Sequence, residues 1–246
     1  MYKAVKKLAL TIIPKDFLVK NELFFRSLFA QRFKGKDHLC NICENSLKKF
    51  IILDDGDQLC PFCGSRPRTR RLFQILNSEE ILKGNVLHFS PSRSLYRLLS
   101  KDQNIQYTST DYEDEFIADH KYDITNIDCP DAHFDLIICY HILEHIEKDQ
   151  KAMQELHRVL KPGGICLVQT PFMGRNGIYE DASITSNEGR LEAFGQEDHV
   201  RVYSVAGLKD RLQDNLFTHV QHKEYAEDPY KGFAAETVLF LRKNKL

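Results

Sequence analysis

Residues 134–171 read FDLIICYHILEHIEKDQKAMQELHRVLKPGGICLVQTP, and they carry the clearest evidence for the fold class. The apolar run within 134–140 does not alternate with polar residues, which is typical of a strand covered on both faces of a parallel sheet. Residues 147–160 place apolar side chains at helical spacing, and the following Pro-Gly-Gly predicts the end of that helix. A second apolar run predicts a strand over 165–171. This order of strand, helix and strand indicates an α/β fold.

The same alternation extends outward on both sides of this stretch. Apolar runs and helical periodicities of similar length precede and follow it, and no internal repeat is visible. The predicted strands are 85–90, 106–111, 120–124, 217–225 and 237–244, and the predicted helices are about 92–101 and 204–214. The sheet is therefore expected to be mainly parallel, with the last two strands forming a pair joined by a long connection.

Length and composition define the broad class of the protein. A chain of 246 residues is long enough for one α/β domain and a small accessory module. With 42% hydrophobic and 28% charged residues, the disordered and fibrous classes are excluded. The apolar run at 8–13 is too short to span a bilayer or to form a convincing signal peptide, so we predict a cytoplasmic protein.

Charge is unevenly distributed along the chain. Lys and Arg outnumber Asp and Glu by 15 to 7 in residues 1–72, whereas residues 73–246 hold 28 acidic and 19 basic residues. A basic segment can contact phosphates, nucleic acid or an anionic membrane, and charge alone does not choose among them. The stretch SRPRTRR at 65–71 is either a solvated connector into a helix over 71–83 or a phosphate clamp. Few aromatic residues are interleaved with these arginines, so a nucleic-acid partner is not expected.

Four of the seven cysteines form two Cys-x-x-Cys pairs, separated by 16 residues. This spacing is typical of two knuckles that hold one Zn²⁺ ion through four thiolates, and four protein ligands leave the metal no open catalytic position. Gly64 after the second pair permits a left-handed backbone, while Glu44 stands at the matching position of the first pair. The alternatives to zinc are a redox dithiol or plain buried thiols. The predicted zinc ligands are Cys40, Cys43, Cys60 and Cys63.

An amphipathic helix is predicted over 16–34, before the cysteine pairs. The residues near its apolar face are Leu18, Phe25, Leu28 and Phe29. This face either packs on the body of the protein or on a second subunit. Alternatively, the helix makes a peripheral contact with a membrane surface, helped by Lys3, Lys6 and Lys7.

Polar residues follow the predicted strands at their carboxyl ends, where open parallel sheets bind their ligands. Asp111 ends the second strand, where a carboxylate can accept both hydroxyls of a ribose. Asp123 and Ile124 end the third strand, where an Asp side chain and a backbone N–H can contact the edge of an adenine. Each carboxylate alone is typical of an ordinary loop, but their order along successive strands points to a ligand site. The residues that reach the same edge after the fourth strand are Tyr140, His141, Glu144 and His145.

From the first predicted strand onward, the chain resembles the class I S-adenosylmethionine-dependent methyltransferases. The resemblance rests on FDLIICYHILEHI at 134–146 and MQELHRVLKPGGICLVQTP at 153–171, which match the group's FD-I-----LEH and EL-RVLKPGG signatures. It implies a Rossmann-like sheet of seven strands with an antiparallel last strand, and S-adenosylmethionine as the cofactor. A methyltransferase-like subgroup with a cysteine module in front is also similar over 40–205, including FGQEDHVR at 194–201. The cofactor contacts inferred at the strand ends are Ser90, Ser92, Asp111, Tyr112, Asp123, Ile124, Cys139, Tyr140 and His141.

The loop after the first strand departs from the family pattern. Where the family has an acidic residue and Gly-x-Gly, this chain has HFSPSRS at 88–94. S-adenosylmethionine carries no phosphate, so it needs less of the glycine-rich loop that a pyrophosphate demands. Its carboxylate can rest on the helix start near Ser92 to Ser94, where serine hydroxyls add hydrogen bonds. Its ammonium group loses the usual acidic partner.

The polar segment 171–203 is too long for a simple connector, so we predict a lid or substrate wall over the strand ends. The alternative is an ordered structural loop in which His199 bonds backbone groups. In a lid, His199 would remove or orient a proton and Arg201 would hold an anionic group. His141 and His145 are further candidates for a general base, which is needed for a weak acceptor such as a hydroxyl.

Together these features predict methyl transfer from S-adenosylmethionine to a small-molecule, saccharide-linked or lipid-linked acceptor. The predicted organisation is a helical segment over 1–36, a zinc-ribbon-like module over 37–72 and a methyltransferase domain over 73–246. One alternative is a non-catalytic scaffold, which the loss of the glycine loop favours. The other is an RNA methyltransferase whose ribbon holds RNA, for which binding would depend steeply on salt.

Overall fold

The computed structural model describes residue 17, residues 21–174 and residues 176–244. Four residues with a predicted role lie outside the described residues, namely Lys3, Lys6, Lys7 and Leu18. In the part of the chain that is described, every helix is too short or too polar to cross a membrane.

The chain forms two compact units. The first contains residues 1–74 and also residues 227–234, which return to it from far along the chain. The second contains residues 75–226 and 235–246 and holds the large sheet. The sequence pattern did not indicate that residues 227–234 belong to the first unit. The predicted organisation places them in the methyltransferase domain.

The first unit consists of short elements around the two cysteine pairs. Strand β1 pairs with β2, and β3 pairs with β4, both in the antiparallel sense. Within the region predicted as an N-terminal helix, the structure has a helix of nine residues. Leu28 on its predicted apolar face is 63% exposed. The elements are α1 (Glu22–Ala30), β1 (Lys34–Leu39), β2 (Ser46–Leu47), β3 (Ile51–Ile52), β4 (Gln58–Leu59) and the start of α2 (Pro67–Ser78).

Two buried arginines hold the returning segment in the first unit. Arg70 is fully buried, and its guanidinium lies 4.2 Å from the ring centroid of Phe50. Arg71 is also buried, lies over the ring of Phe233 and donates to the carbonyl oxygen of Ala234 at 3.3 Å. The carbonyl oxygens that accept from Arg70, at 2.7 to 3.0 Å, are those of Gln58, Ser65, Lys231 and Gly232.

The two predictions made for SRPRTRR are therefore wrong for Arg70 and Arg71. A buried guanidinium that donates to carbonyl oxygens and lies over an aromatic ring neither faces solvent nor remains readily available to a phosphate. Arg66 is likewise engaged, since it pairs with Asp55 and Asp57 at 3.0 Å each. Arginine is suited to this structural role because its planar group donates several hydrogen bonds in fixed directions.

The sheet of the second unit is mainly parallel. Among the residues described, six strands run in the order β11-β12-β8-β7-β5-β6, where β6, β5, β7 and β8 are mutually parallel and β12 is antiparallel to both neighbours. This confirms the Rossmann-like α/β class with an antiparallel last strand. The elements are β5 (Gly84–Phe89), α3 (Arg93–Leu99), β6 (Ile105–Thr110), β7 (Phe134–Tyr140), α4 (Asp149–Val159), β8 (Leu160–Gln169), β9 (Ile178–Glu180), α5 (Asn187–Phe194), β10 (Arg201–Tyr203), α6 (Val205–Asp214), β11 (His219–Tyr225) and β12 (Glu236–Arg242).

The strand predicted at 120–124 is wrong, and this accounts for six strands in place of seven. His120 forms an isolated parallel bridge with Thr110 at the end of β6, with backbone hydrogen bonds of 3.0 and 3.1 Å. The next N–H groups find side chains instead of a neighbouring strand. Thr110 Oγ1 accepts from the N–H of Tyr122 at 2.7 Å, and the Asp123 carboxylate closes a turn onto residue 125. Because these side chains compete with the ladder, it stops after one bridge.

Strand β8 begins earlier than predicted. Helix α4 ends at Val159, and Leu160 already has an extended backbone with φ −76° and ψ 134°. The Pro-Gly-Gly that was expected to follow the helix as a loop lies inside the strand, which covers Leu160–Gln169 in place of 165–171. Gly163 donates its N–H to the carbonyl oxygen of Lys243 at 2.8 Å, so β8 is paired along this segment as well.

The core of the second unit lies on both faces of the sheet's central strands. Leu87, Ile137 and Leu156 are fully buried there. Cys139 and Cys166 are fully buried in the same sheet, and desolvation raises the pKa of both thiols. They behave as small hydrophobic side chains, as expected from their apolar surroundings.

Candidate functional site

The loop that follows β5 keeps a backbone conformation that normally selects glycine. Ser90 directly after the strand has φ +45°, in the left-handed region. Its N–H donates to the carbonyl oxygen of Thr110 at 2.7 Å, and its hydroxyl donates to Asp111 Oδ1 at 2.6 Å. Two predicted cofactor contacts, Ser90 and Asp111, are thus brought together at the carboxyl ends of β5 and β6.

Asp111 organises the loop that follows β6. Its side chain is buried, and Oδ2 accepts from the N–H groups of Glu115 at 2.7 Å and Phe116 at 3.0 Å. Oδ1 accepts from Ser90, which leaves one lone pair of this oxygen for a further donor such as a ribose hydroxyl. The neighbouring Tyr112 is 53% exposed. These hydrogen bonds hold the Asp111 carboxylate in place. Binding of a ribose to it stays a prediction.

The other cofactor contacts predicted near this loop have distinct surroundings. Ser92 precedes α3, and its hydroxyl lies 3.4 Å from that of Ser94. Asp123 Oδ1 accepts from both the N–H and the hydroxyl of Thr125, at 2.7 and 2.8 Å. The side chain of Ile124 lies in the core, so its predicted contact would use its backbone N–H.

His88 stands where the resembling family has an acidic residue. It is buried, and its Nδ1 lies 3.0 Å from the hydroxyl of Tyr107. Burial lowers the pKa of His88 to about 3, so the ring is neutral at physiological pH. His88 therefore supplies no charge that replaces the missing carboxylate.

At the end of β7, Cys139 and Tyr140 point into the interior while His141 begins the rim. The Cys139 side chain is fully buried and Tyr140 is 9% exposed, so the cofactor contact predicted at Cys139 would use its backbone. His141 has φ +55°, and its N–H donates to the carbonyl oxygen of Gln169 at 2.8 Å. Both central strands thus end in a non-glycine residue of left-handed conformation, a form of backbone strain that concentrates at functional sites.

The three histidines predicted as bases gather around Glu144. The Nδ1 atom of His141 lies 3.4 Å from Glu144 Oε1. The rings of His145 and His199 are nearly perpendicular, with centroids 4.7 Å apart. One side-chain ligand atom from each of Glu144, His145 and His199 lies within 4.8 Å of the others. Sequence patterns had indicated Glu144 as a rim residue, but not that it forms the centre of this cluster.

The chemistry of this cluster is set by burial. Glu144 is 1% exposed, and neither carboxylate oxygen accepts a hydrogen bond from the residues that are described. His199 is 4% exposed, with Nδ1 3.2 Å from the carbonyl oxygen of Phe194. Desolvation is the main cause that lowers the pKa of His199, so its neutral form is favoured.

The segment 171–203 was predicted either as a lid or as an ordered structural loop in which His199 bonds backbone groups. It contains strands, a helix and ion pairs, and His199 Nδ1 lies 3.2 Å from the carbonyl oxygen of Phe194, as the second alternative predicts. A role as a lid stays a prediction. Strand β10 pairs with β9, and Val200 donates its N–H to the carbonyl oxygen of Glu144 at 2.9 Å. Arg201 is buried and pairs with Glu180 at 2.8 Å, while its Nη atoms donate to carbonyl oxygens of the 143–147 turn. The prediction that Arg201 holds an anionic ligand is wrong, because its donors anchor the lid to the turn that carries Glu144.

An open cleft lies on the outer part of this segment. Its volume is about 550 Å³, and Asp198 on its wall lies 3.1 Å from His145 Nδ1. The lining is mostly polar and consists of Asn187, Arg190, Leu191, Gln196, Glu197 and Asp198. Five of these six residues are polar, so the cleft offers hydrogen-bonding groups close to His145.

The four predicted zinc ligands are brought together in the first unit. The Sγ atoms of Cys40 and Cys63 are 3.7 Å apart, as are those of Cys43 and Cys60, and all four lie within 4.8 Å of one another. A tetrahedral ion with Zn–S bonds of about 2.3 Å separates its sulfurs by about 3.8 Å. Two of the six sulfur separations match this value and the others are at most 4.8 Å, so the donor set fits a tetrahedral Zn²⁺ ion.

Both cysteine turns have the same backbone form. Glu44 donates its N–H to Cys40 O at 2.8 Å, and Gly64 donates to Cys60 O at 3.0 Å. Glu44 has φ +56° and Gly64 has φ +76°. The first turn thus adopts the left-handed conformation without the glycine that favours it. Hydrogen bonds from the other three cysteines lower the pKa of Cys40, which favours a thiolate there.

Comparison with known proteins places these features in context. A family model described as a methyltransferase domain matches residues 60–222. A probable S-adenosylmethionine-dependent methyltransferase of Mycolicibacterium smegmatis is 35% identical over 93 residues, which cover 37% of this chain and 31% of that protein. The chain thus aligns with about a third of the length of this curated relative.

Solved structures share the fold at low identity. Phosphoethanolamine N-methyltransferase 2 of Haemonchus contortus is 14% identical, with a TM-score of 0.51 over 72% of this chain and 53% of that chain. A SAM-dependent methyltransferase of Archaeoglobus fulgidus is 13% identical, with a TM-score of 0.50 over 73% and 95%. The [4+2]-cyclase SpnF is 15% identical, with a TM-score of 0.50 over 72% and 82%.

Proposed function

Since the chain belongs to the methyltransferase domain family, we propose that it transfers a methyl group from S-adenosylmethionine to a hydroxyl of a hydrophilic small-molecule, saccharide-linked or lipid-linked acceptor. The observation that carries this proposal is the Ser90–Asp111 pair. Serine takes the backbone conformation for which the family uses glycine, and its hydroxyl fixes the carboxylate at the adjacent strand end. A loop that had lost its function would not be expected to keep both features.

The residues present fit the cofactor at several points. Asp111 would accept a ribose hydroxyl, Asp123 and the Ile124 N–H would contact the adenine, and the backbone of 139–141 would line the same edge. S-adenosylmethionine supplies an electrophilic methyl group on a sulfonium, so methyl transfer depends mainly on alignment and exclusion of water. The anchored lid and the 143–147 turn would position the acceptor, and His141, His145 or His199 would accept the hydroxyl proton.

We further propose that the cysteine cluster holds one structural Zn²⁺ ion. The sulfur separations match a tetrahedral site, and the buried positive charge of Arg70 lies in the same unit as the four thiolates. All seven cysteines are free thiols in the structure, which supports a reducing compartment such as the cytoplasm. Metal analysis of protein purified without chelators should find zinc in at least one equivalent per chain, and a zinc-free folded protein would refute this proposal.

A peripheral membrane contact through α1 is a separate proposal. Leu23, Phe24 and Leu28 are 46%, 60% and 63% exposed on this helix and could meet a membrane surface, although only Leu28 belongs to the apolar face predicted from the sequence. Co-sedimentation with anionic vesicles should fall when Phe24 and Leu28 are both changed to Ser. Equal sedimentation of the variant and the parent protein would exclude the contact.

A non-catalytic scaffold is the competing function. The loop over 88–94 favours it, because HFSPSRS stands where the family has an acidic residue and Gly-x-Gly. The RNA methyltransferase alternative loses support from the burial of Arg70 and Arg71, which removes two of the four arginines from any RNA surface.

Calorimetric titration with S-adenosylmethionine and S-adenosylhomocysteine distinguishes these functions. We expect micromolar binding of both ligands that weakens at least tenfold in Asp111→Ala, because the ribose contact and the loop order are lost together. Asp210→Asn, an exposed carboxylate on α6, is the matched control and should bind as the parent protein does. No binding by folded parent protein would reject the proposed activity in favour of the scaffold.

A further inference from the structure

The Glu144 carboxylate has no evident partner in an interior position. It is 99% buried, and neither oxygen accepts a hydrogen bond from the described part of the chain. The nearest cationic candidate is His141, whose Nδ1 is 3.4 Å from Oε1. Buried carboxylates are normally paired, hydrogen-bonded or bound to a metal, since an isolated one is strongly penalised. The position therefore indicates a ligand that the side chains alone do not supply.

His199 offers a nitrogen lone pair close to the Glu144 carboxylate. Its Nδ1 lies 3.2 Å from the carbonyl oxygen of Phe194, and a carbonyl only accepts, so Nδ1 carries the proton of the neutral ring. Nε2 is then unprotonated. It is buried and has no hydrogen-bond partner among the described residues. A neutral imidazole with its second nitrogen bonded to a carbonyl oxygen is the usual state of a metal-binding histidine.

His145 has a comparable outer partner. Its Nδ1 lies 3.1 Å from Asp198 Oδ2, and donation to this carboxylate leaves Nε2 with the lone pair. Carboxylate–histidine contacts of this kind orient metal ligands and raise their basicity. Ligand atoms of Glu144, His145 and His199 lie within 4.8 Å of one another, so small side-chain rotations reach the separation of about 3.4 Å typical of an occupied site.

We propose that Glu144, His145 and His199 bind a divalent transition-metal ion, at a second site distinct from the cysteine cluster. Two imidazoles and one carboxylate suit Zn²⁺, Fe²⁺ or Co²⁺ and leave coordination positions open. His141 is close enough to Glu144 to serve as a fourth ligand or to bond a metal-bound water. Open positions distinguish this site from the four-thiolate site, which is closed.

The position of the site assigns it to the acceptor, and this role rests on the proposed function. Glu144 and His145 follow β7, and its neighbour β5 ends directly before Ser90, so both lie at the carboxyl edge where the cofactor is expected. With His145 and His199 bound to the ion, neither would act as a base. An acceptor hydroxyl bound to the ion would have a lowered pKa and would release its proton to water or to an unligated His141. The resulting oxygen would form the new C–O bond as the methyl–sulfur bond breaks, leaving neutral S-adenosylhomocysteine.

Titration of zinc-containing protein with Co²⁺ tests the site without any turnover. Metal analysis confirms beforehand that the cysteine cluster is full and afterwards that its zinc is retained. We expect one Co²⁺ per chain, with visible absorption of nitrogen and oxygen ligation. The affinity should fall at least tenfold in Glu144→Gln and in His199→Gln, while the exposed His222→Gln serves as the matched control with unchanged affinity.

Circular dichroism and zinc content show whether each variant is folded, and His145→Gln replaces any variant that is not. The absence of Co²⁺ binding, or equal binding by the Glu144 and His222 variants, would overturn the inference. S-adenosylmethionine binding is measured on the same samples. Its loss with Co²⁺ binding intact would reject the proposed function alone, and the reverse result would reject the metal site alone.

Discussion

Ser90 shows how one residue can preserve a loop whose usual sequence is gone. Its left-handed backbone would be less strained with glycine, yet glycine has no hydroxyl to give to Asp111. The two properties of the residue, its backbone conformation and its hydroxyl, can therefore be separated by substitution. The sequence alone could not reveal this, because SPS in place of Gly-x-Gly does not report the backbone angle.

Ser90→Gly and Ser90→Ala both remove the hydroxyl, but only the glycine variant relieves the backbone strain. We expect Ser90→Gly to be more stable than Ser90→Ala by about 1 kcal/mol, as measured by urea unfolding. Ser92→Gly and Ser92→Ala form the control pair, since Ser92 has φ −59°. Equal stability of the two Ser90 variants would mean that the left-handed conformation is not maintained in solution.

Glu144 makes a second prediction at the residue scale. In protein that holds zinc in the cysteine cluster alone, Glu144→Gln should raise the free energy of unfolding by about 1 to 3 kcal/mol, because a buried carboxylate without partners is removed. Urea unfolding measures this change. The exposed Glu147→Gln is the control and should have little effect. A loss of stability in Glu144→Gln would show that the carboxylate is well paired without a metal.

At the scale of elements, the segment 171–203 is held by an ion-pair network. Arg211 pairs with Glu180 at 2.6 Å and with Asp149 at 2.7 Å, and Arg201 pairs with Glu180 at 2.8 Å. Tyr203 adds a hydrogen bond to Asp149 at 2.6 Å. The sequence indicated that 171–203 was more than a connector, but its charged residues gave no pairing pattern, since the partners are separated widely along the chain.

Because of this network, we expect the stabilisation of the segment 171–203 to weaken in acid. Hydrogen bonds from Arg211 and then Arg201 lower the pKa of Glu180 to about 2. A lowered pKa means that this stabilisation is fully present above the unfolded value near 4.5 and is lost as the pH falls toward 2. Because Glu180 is 40% exposed, solvent screening reduces its contribution to about 1 kcal/mol.

The difference in free energy of unfolding between the parent protein and Glu180→Gln should therefore be largest near pH 6 and shrink toward pH 3. Urea unfolding at each pH measures it, and zinc loss at low pH affects both proteins equally. The exposed Glu192→Gln should differ little from the parent protein at any pH. A difference that stays constant from pH 6 to pH 3 would contradict the role of Glu180.

Elements with strong apolar patterns were predictable, whereas those defined by side-chain hydrogen bonds were not. Strands β5, β6 and β7 lie within one residue of their predicted bounds because continuous burial leaves a clear signal. The strand expected at 120–124 fails because Thr110 Oγ1 accepts one of its N–H groups, which no periodicity can report. In the candidate site, the sequence placed Ser90 and Asp111 at strand ends. The contacts of Arg201 and Glu144 join residues that lie far apart along the chain, so no local pattern could indicate them.

For the whole molecule, the division into two units predicts a local response to metal removal. The segment 227–234 leaves the second unit between β11 and β12, whose seven-residue pairing does not depend on it. Chelation of zinc, or Cys60→Ser, should therefore unfold the first unit and spare the sheet. Hydrogen exchange should accelerate at least tenfold over 34–72 and 227–234, and remain unchanged in β5 and β7.

Cys129→Ser is the matched control, because Cys129 lies outside the cysteine cluster and should leave exchange unchanged in both units. Simultaneous loss of protection in both units would show that they unfold together. Unchanged exchange over 34–72 after complete zinc removal would show that the metal does not hold the first unit.

The return of 227–234 also constrains the order of events during synthesis on the ribosome. Arg70 cannot donate to the carbonyl oxygen of Lys231 until that residue, 161 positions later, has been synthesised. Until then, its guanidinium lacks two of the acceptors that permit its burial, so the cysteine module emerges before the large sheet but is completed only after most of that sheet has been synthesised. A nascent or prematurely terminated chain would expose this module unfinished, with its thiols open to oxidation and to quality control.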